Sequence, residues 1–333
     1  MQKPSGQTIF LLSVAALSVT LIGYLLLGNL SDGMARDGAP APARLTLKDI
    51  PFDGARAYEY LKALCALGPR VSGSTGMAQQ QQLLEEHFRK QGATVVRQNF
   101  AVRHPIDGSR VEMANLIIQW HPERKQRGLL AAHYDTRPFP DRDPTNPNGV
   151  FVGANDGASG VAVLMELGAH MAALEGKLGV DFVLFDGEEL VFDEDRDPYF
   201  IGSEYFSREY VGQRQTCQYV WAVLLDMVGD ASLQILQERN SAYWPDSRTL
   251  VKGLWDTAAR LKVREFMPRL GHEIRDDHIK LHNVAGIPSC DLIDFDYPFW
   301  HTAADTPDKC SALSLAKVGW VVEEWLKQAT QKP

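Results

Sequence analysis

"VDFVLFDGEELVFDEDRDPYFIGSEYF", Val180 to Phe206, carries the decision about the fold. Its opening run is almost wholly apolar, rich in β-branched and aromatic residues, and of strand length, as expected of a strand buried on both faces. The chain then turns and presents two adjacent carboxylates, Glu188 and Glu189. Gly202-Ser203 begins the next helical pattern. A strand, a turn bearing chemistry and a helix form the repeating unit of a parallel sheet. Between turn and helix, however, lies an acidic and aromatic run, Val191 to Phe200, longer than such a connection needs.

The same unit recurs outward from this stretch. Short apolar runs, "ATVVRQNF", "ANLIIQW", "GLLAAHYD" and "YVWAVLLDMVG", read as strands, and "SGVAVLMELGAHMAALEG" and "SLAKVGWVVEEWLKQAT" read as helices. Phe52 to Gly92 is helical with a break at "GPRVSGSTG"; Leu83, Leu84 and Phe88 share one face of its second helix. Strands alternating with helices predict an α/β fold, a largely parallel sheet covered on both faces. No second core is visible, so residues 46–333 are expected to form one catalytic domain.

The first residues follow another logic. Ile9 to Leu30 contains no charge and is long enough to span a bilayer, and Lys3 precedes it. This predicts a short cytoplasmic N-terminus over residues 1–8, a transmembrane anchor over 9–30 and an extracytoplasmic catalytic part, periplasmic or luminal. A cleaved signal peptide, which would leave a secreted protein, is the alternative. Residues 31–45, rich in Gly, Pro and Ala, read as a flexible linker. A net charge of −8 excludes non-specific nucleic-acid binding, which requires a basic surface. Of four cysteines, Cys65, Cys217, Cys290 and Cys310, the nearest in sequence are Cys290 and Cys310; a disulfide and four free thiols both remain open.

Three strands end in side chains able to bind metal: "LLAAHYD" in His133 and Asp135, "VLFDGEE" in Asp186, Glu188 and Glu189, "AVLLDMVGD" in Asp226 and Asp230. Ligands of α/β sheets bind beyond the carboxyl ends of the strands, where these groups should converge. "GANDGASG" adds Asp156 in a glycine-rich turn, and "FWHTAADT" adds His301. A single strand-end Asp is commonly a cap or turn former. Five such residues, His133, Asp156, Glu189, Asp226 and His301, exceed what capping requires. Mixed imidazole and carboxylate donors suit zinc. Glu188, beside a ligand, is the candidate general base, and Asp135 the candidate partner fixing the His133 tautomer.

The runs "HYD", "GANDGASG", "FDGEE", "LLDMVGD" and "WHTAADT" resemble the zinc-dependent aminopeptidase superfamily, which includes the glutaminyl-peptide cyclotransferases. The resemblance implies a three-layer α/β/α sandwich around a mixed, mostly parallel sheet. For an aminopeptidase it implies two zinc ions, one on His133 and Asp226, one on Glu189 and His301, bridged by Asp156. For a cyclotransferase it implies a single zinc on Asp156, Glu189 and His301.

The length of the insertion, with the "RDD" segment and Trp300, favours the cyclotransferase. In the aminopeptidases the Gly-Ser follows the paired glutamates closely, whereas in the cyclotransferases a longer loop intervenes and walls the pocket. The resemblance then implies a pocket formed by Phe192, Tyr199 and Phe200 from this loop, by His278 after "RDD", and by Trp300, with Asp226 and Asp276 as a hydrogen-bonded carboxyl pair near Glu188. The loop has no Trp, Arg275 stands where many cyclotransferases carry Gln, and "NDGASG" is closer to the aminopeptidase form. The expected activity is zinc-dependent cyclisation of N-terminal glutamine in peptides and proteins, with release of ammonia. An exported aminopeptidase is the alternative, and a catalytically silent binding module is a third reading that the intact Glu188 and metal positions disfavour.

Overall fold

The computed structural model describes residues 44–213 and 216–331. The expected cytoplasmic segment, the membrane anchor and all but the end of the linker lie outside the described residues. Among the described residues no helix is long and apolar enough to cross a membrane. From Leu45 onward the chain packs as one compact unit.

Two capped helices lead in. Asp53 accepts from the Arg56 N–H to start α1 (Gly54–Cys65), and Ser74 accepts from the Met77 N–H to start α2 (Thr75–Lys90). The strands that follow are β1 (Thr94–Arg103), β2 (Arg110–Trp120) and β3 (Gln126–His133). Then come α3 (Ser159–Met171), β4 (Gly179–Phe185), α4 (Ile201–Gln213) and β5 (Gln218–Asp226). The chain continues through β6 (Ile235–Gln237), α5 (Arg239–Tyr243), α6 (Arg248–Leu261) and β7 (Phe266–Leu270), and closes with α7 (Asp277–Asn283), β8 (Ser289–Ile293) and α8 (Ala312–Ala329). The main sheet has the order β1-β2-β4-β3-β5-β8. Its first three strands are antiparallel neighbours, whereas β4, β3, β5 and β8 run parallel, so the sheet is mixed. Strands β6 and β7 pair separately.

The period-two alternation of strand side chains divides the core into two faces. Leu130, Ala132, Phe182, Leu184, Val223 and Leu225 belong to one cluster, which α1, α3, α6 and α8 complete. The intervening residues Leu129, Ala131, Val183, Phe185, Ala222 and Leu224 belong to another, with Phe206 of α4 and Leu281 of α7. Both faces are therefore covered, and the central strands are largely apolar, with the Arg127–Asp181 ion pair buried between β3 and β4. The four cysteines are free thiols, which settles the open question about Cys290 and Cys310.

Candidate active site

Because β3, β4, β5 and β8 are parallel, their carboxyl ends share one edge of the sheet. His133 ends β3 and Asp226 ends β5, while Glu188 and Glu189 follow β4 after a turn at Gly187. Asp156 sits in the turn before α3. That turn is held from several sides. The Asp305 carboxylate accepts the N–H groups of Asn155 (2.9 Å) and Asp156 (3.1 Å), and the buried Arg70 guanidinium donates to the Val152 and Gly153 carbonyls. Gly157 adopts φ +97°, and a Cβ there would lie 2.6 Å from the Asp135 carbonyl oxygen, so no other residue fits without displacing the turn. Asp135 receives the N–H groups of Glu188 (3.2 Å) and Glu189 (3.0 Å). Its carboxylate lies 3.7 Å from His133 Nδ1, beyond hydrogen-bond length. Its carboxylate holds the glutamate turn beside that ring.

The donors converge as two triplets sharing Asp156, one with Glu189 and His301, the other with His133 and Asp226. His301 Nε2 lies 2.8 Å from Glu189 Oε1 and 3.6 Å from Asp156 Oδ2. His133 Nε2 lies 3.2 Å from Asp156 Oδ1 and 3.1 Å from Asp226 Oδ1. Ligands placed ~2.0–2.1 Å from a tetrahedral zinc ion stand roughly 3.3 Å from one another, so both triplets have the spacing of a metal's ligands. Asp156 Oδ2 is buried with no hydrogen-bond partner, as expected of an oxygen meant for a cation. The residues fit zinc.

Charge is unevenly distributed here. Burial opposes ionisation of Glu189, but the His301 ring and the Arg137 guanidinium outweigh it and hold the carboxyl at about 2. Burial likewise opposes the His301 cation, yet Glu189 and Asp141 lift it to about 9. Asp156 is pushed up to about 6 by burial and then by the Glu189 charge. Glu188 is raised well above the usual range, chiefly by burial.

Tyr199, Phe200 and Trp300 wall the cleft above these groups, together with Arg275 and Asp276. The structure brings neither Phe192 nor His278 to it. Phe192 packs beneath the inserted loop with Phe100, Val111, Met113 and Leu190. His278 is fully buried on α7, its Nε2 3.2 Å from Glu238 Oε2, because the helix that Asp276 caps turns it inward. Three cleft residues that are not glycine take left-handed backbone: Phe200 (φ 60°), Met227 (φ 46°) and His301 (φ 55°). Each such residue costs about 1–3 kcal/mol, a strain tolerated where geometry serves chemistry.

Sequence reasoning missed the groups behind the ligands. Arg137, 1% exposed, gives its backbone N–H to Glu189 Oε2 (3.0 Å) and a bidentate pair of hydrogen bonds to Asp141 (2.8 and 2.7 Å). Asp141 Oδ1 lies 3.2 Å from His301 Nδ1. The available signal was "TRPFPDRD", a charged, proline-broken run directly after a metal-ligand strand. Asp291 was missed because it lies mid-strand on the short β8, where nothing in the run marks it as facing the site.

Residues 115–326, more than half of the chain, match the family model of peptidase family M28, and the chain belongs to that family. Among solved structures it is similar to the glutaminyl cyclase of Fimbriiglobus ruber, with 39% identity and a TM-score of 0.81 over 89% of this chain and 100% of that one. It is also similar to a leucine aminopeptidase precursor from Bacteroides thetaiotaomicron, with 31% identity and a TM-score of 0.77 over 83% and 97%. Among curated proteins, the glutaminyl-peptide cyclotransferase of Gloydius blomhoffii is 27% identical over 283 residues, 75% of each chain.

Proposed function

We propose that this protein is a zinc-dependent glutaminyl cyclase that converts the N-terminal glutamine of peptides and proteins to pyroglutamate, releasing ammonia. The observation that carries the reading is the inserted loop. Val191 to Phe200 leaves and rejoins the chain at the paired glutamates, where the Phe200 N–H donates to the Glu188 carbonyl (3.3 Å), and it sets Tyr199 and Phe200 over the cleft shared with Trp300. A cleft closed this way suits one small side chain folded back on its own amine. The 39% identity to a glutaminyl cyclase supports the same reading.

Asp156, Glu189 and His301 would hold one zinc ion, which would polarise the substrate's side-chain amide and stabilise the oxyanion. Glu188 takes a proton from the α-amine as its nitrogen bonds to the side-chain carbonyl carbon, and returns it to the departing nitrogen, which leaves as ammonia. The raised affinity of Glu188 for a proton suits this exchange. Asp276 is held well above the usual carboxylate range by burial and then by the Asp226 charge, and its buried Oδ2 has no hydrogen-bond partner, which suits a carboxyl kept protonated near Glu188. Tyr199, Phe200 and Trp300 hold the substrate in its ring-closing shape, and such orientation lowers barriers by ~7–11 kcal/mol. No external water enters the reaction.

The second donor triplet, His133, Asp156 and Asp226, supports an alternative, a two-zinc aminopeptidase. Incubating the purified full chain with a Gln-initiated and a Leu-initiated peptide separates the two. A cyclase removes ammonia from the first alone and shortens neither; stepwise shortening of the Leu peptide overturns the reading. Glu188→Gln should abolish turnover at unchanged zinc content, and surviving activity removes Glu188 as the base. The apolar segment Ile9–Leu30 after Lys3 supports, as a further part of the proposal, a membrane-anchored enzyme with residues 46–333 as an extracytoplasmic catalytic domain.

A further inference from the structure

The acidic run "DEDRD" inside the inserted loop has no place in the chemistry above, and its carboxylates divide their labour. Asp197 Oδ2 accepts the N–H groups of Phe192 and Asp193 (both 2.8 Å), and Asp193 accepts from Asp195 (3.1 Å). These bonds shape the loop from within. Glu194 alone reaches outward. Its Oε1 lies 3.2 Å from Arg137 Nη2 and 3.3 Å from Arg142 Nη2.

Both guanidinium groups lead directly to the site. Arg137 is buried between Glu194, Asp141 and Glu189, and its Nη2 lies 3.5 Å from the Tyr199 hydroxyl. Arg142 stacks over Trp300 at 4.2 Å, and its backbone N–H donates to the His301 carbonyl (3.1 Å). Asp143 accepts from the Ala303 N–H (3.0 Å), tying the same strap to the chain just past the His301 ligand position. One oxygen of the inserted loop therefore joins the two cations that contact Tyr199 and Trp300 in the cleft wall.

We propose that Glu194 is a positioning residue, a latch that fixes the inserted loop to the Arg137–Arg142 strap and so sets the separation of Tyr199 from Trp300. The role in substrate binding rests on the cyclase reading, whereas the latch itself does not. Glu194 and Arg142 are each about half exposed, and an isolated pair of that kind contributes little. The shared oxygen and the desolvated Arg137 make this a network, in which removing one member releases more than one contact.

The inserted loop supplies its own probe. Arg196 at its tip is 84% exposed and open to trypsin once the loop moves. Initial cleavage after Arg196 in the full chain, followed by mass spectrometry, should rise about 3–10-fold in Glu194→Gln and in Arg142→Gln, with the double variant no worse than the stronger single one. In Glu194→Gln, kcat/KM for a Gln-initiated peptide should fall by a similar factor at unchanged zinc content, with kcat sharing the loss because the walls that Glu194 spaces also orient the substrate. Unchanged cleavage in both single variants, or fully additive effects in the double, overturns the latch. A wild-type chain that cyclises nothing refutes the cyclase reading, and the cleavage arm still decides the latch.

Discussion

Asp156 serves two triplets of donors that differ little in their own atoms and greatly in what stands behind them. Behind Glu189 and His301 lie a buried cation, Arg137, and its partner Asp141. Behind His133 and Asp226 lie further carboxylates, Asp276, Asp277 and Asp291, all buried and all held above the usual carboxylate range. The front pair is braced by opposite charges, which keep the Glu189 carboxylate ionised. The rear is crowded with like charge, which either a second metal ion or retained protons must relieve. A ligand set is thus defined by its surroundings as much as by its donors, and the two halves should respond differently to the same kind of damage.

The largest effect tests that difference directly. Glu189→Ala should lose the zinc ion and reduce activity by about 10²–10³-fold or more, since the group that stabilises developing charge goes with it. His133→Ala should retain one zinc per chain by elemental analysis and lose clearly less activity. Two zinc ions in the wild type, with one lost in His133→Ala, would erase the distinction and favour the aminopeptidase.

How much of this was legible in the sequence follows from where each signal lies. The sheet was legible because buried central strands are largely apolar, as the runs "LLAA" and "FVLF" are. The metal-capable cluster was legible because its members follow such a run, or a glycine-rich turn, at points where a carboxylate or imidazole is otherwise expensive. Arg137, Asp141 and Asp305 were not, because a charged residue in a loop is ordinary and only the folded chain shows it buried. Strands β6 and β7 are short and far apart in sequence, so no periodicity announces them. His278 and Phe192 were misplaced for a related reason. A motif fixes which residues are near the site, not which way a helix or loop turns them.

Asp141→Asn sharpens the comparison at intermediate scale. The substitution keeps shape but removes the charge that Arg137 and His301 share. Carboxylates behind a metal-binding imidazole commonly contribute ~10–100-fold in metal affinity, and a loss in that range is expected on titrating zinc against a chelator. Zinc affinity unchanged within about twofold would mean that the front half owes nothing to its bracing.

The smallest effect probes the rear half through stability. Both carboxylate oxygens of Asp291 are buried without hydrogen-bond partners, and burial, then the charges of Asp276 and Glu238, raise its proton affinity well above the usual range. An acid of this kind binds its proton more tightly folded than unfolded. Its contribution to stability is therefore full at and below the unfolded value of ~3.9 and is lost as pH rises from there towards the folded one. Asp291→Asn removes that decline. Compared with the wild type, it should gain stability at pH 8, about 1.4 kcal/mol for each pH unit by which the folded value exceeds the unfolded one, and much less near pH 4. Thermal unfolding of both chains at the two pH values reads this out. A gain of equal size at both would place the effect in packing. No gain at pH 8 would mean that the rear carboxylates are already neutralised by a bound cation, and the two halves would then be alike.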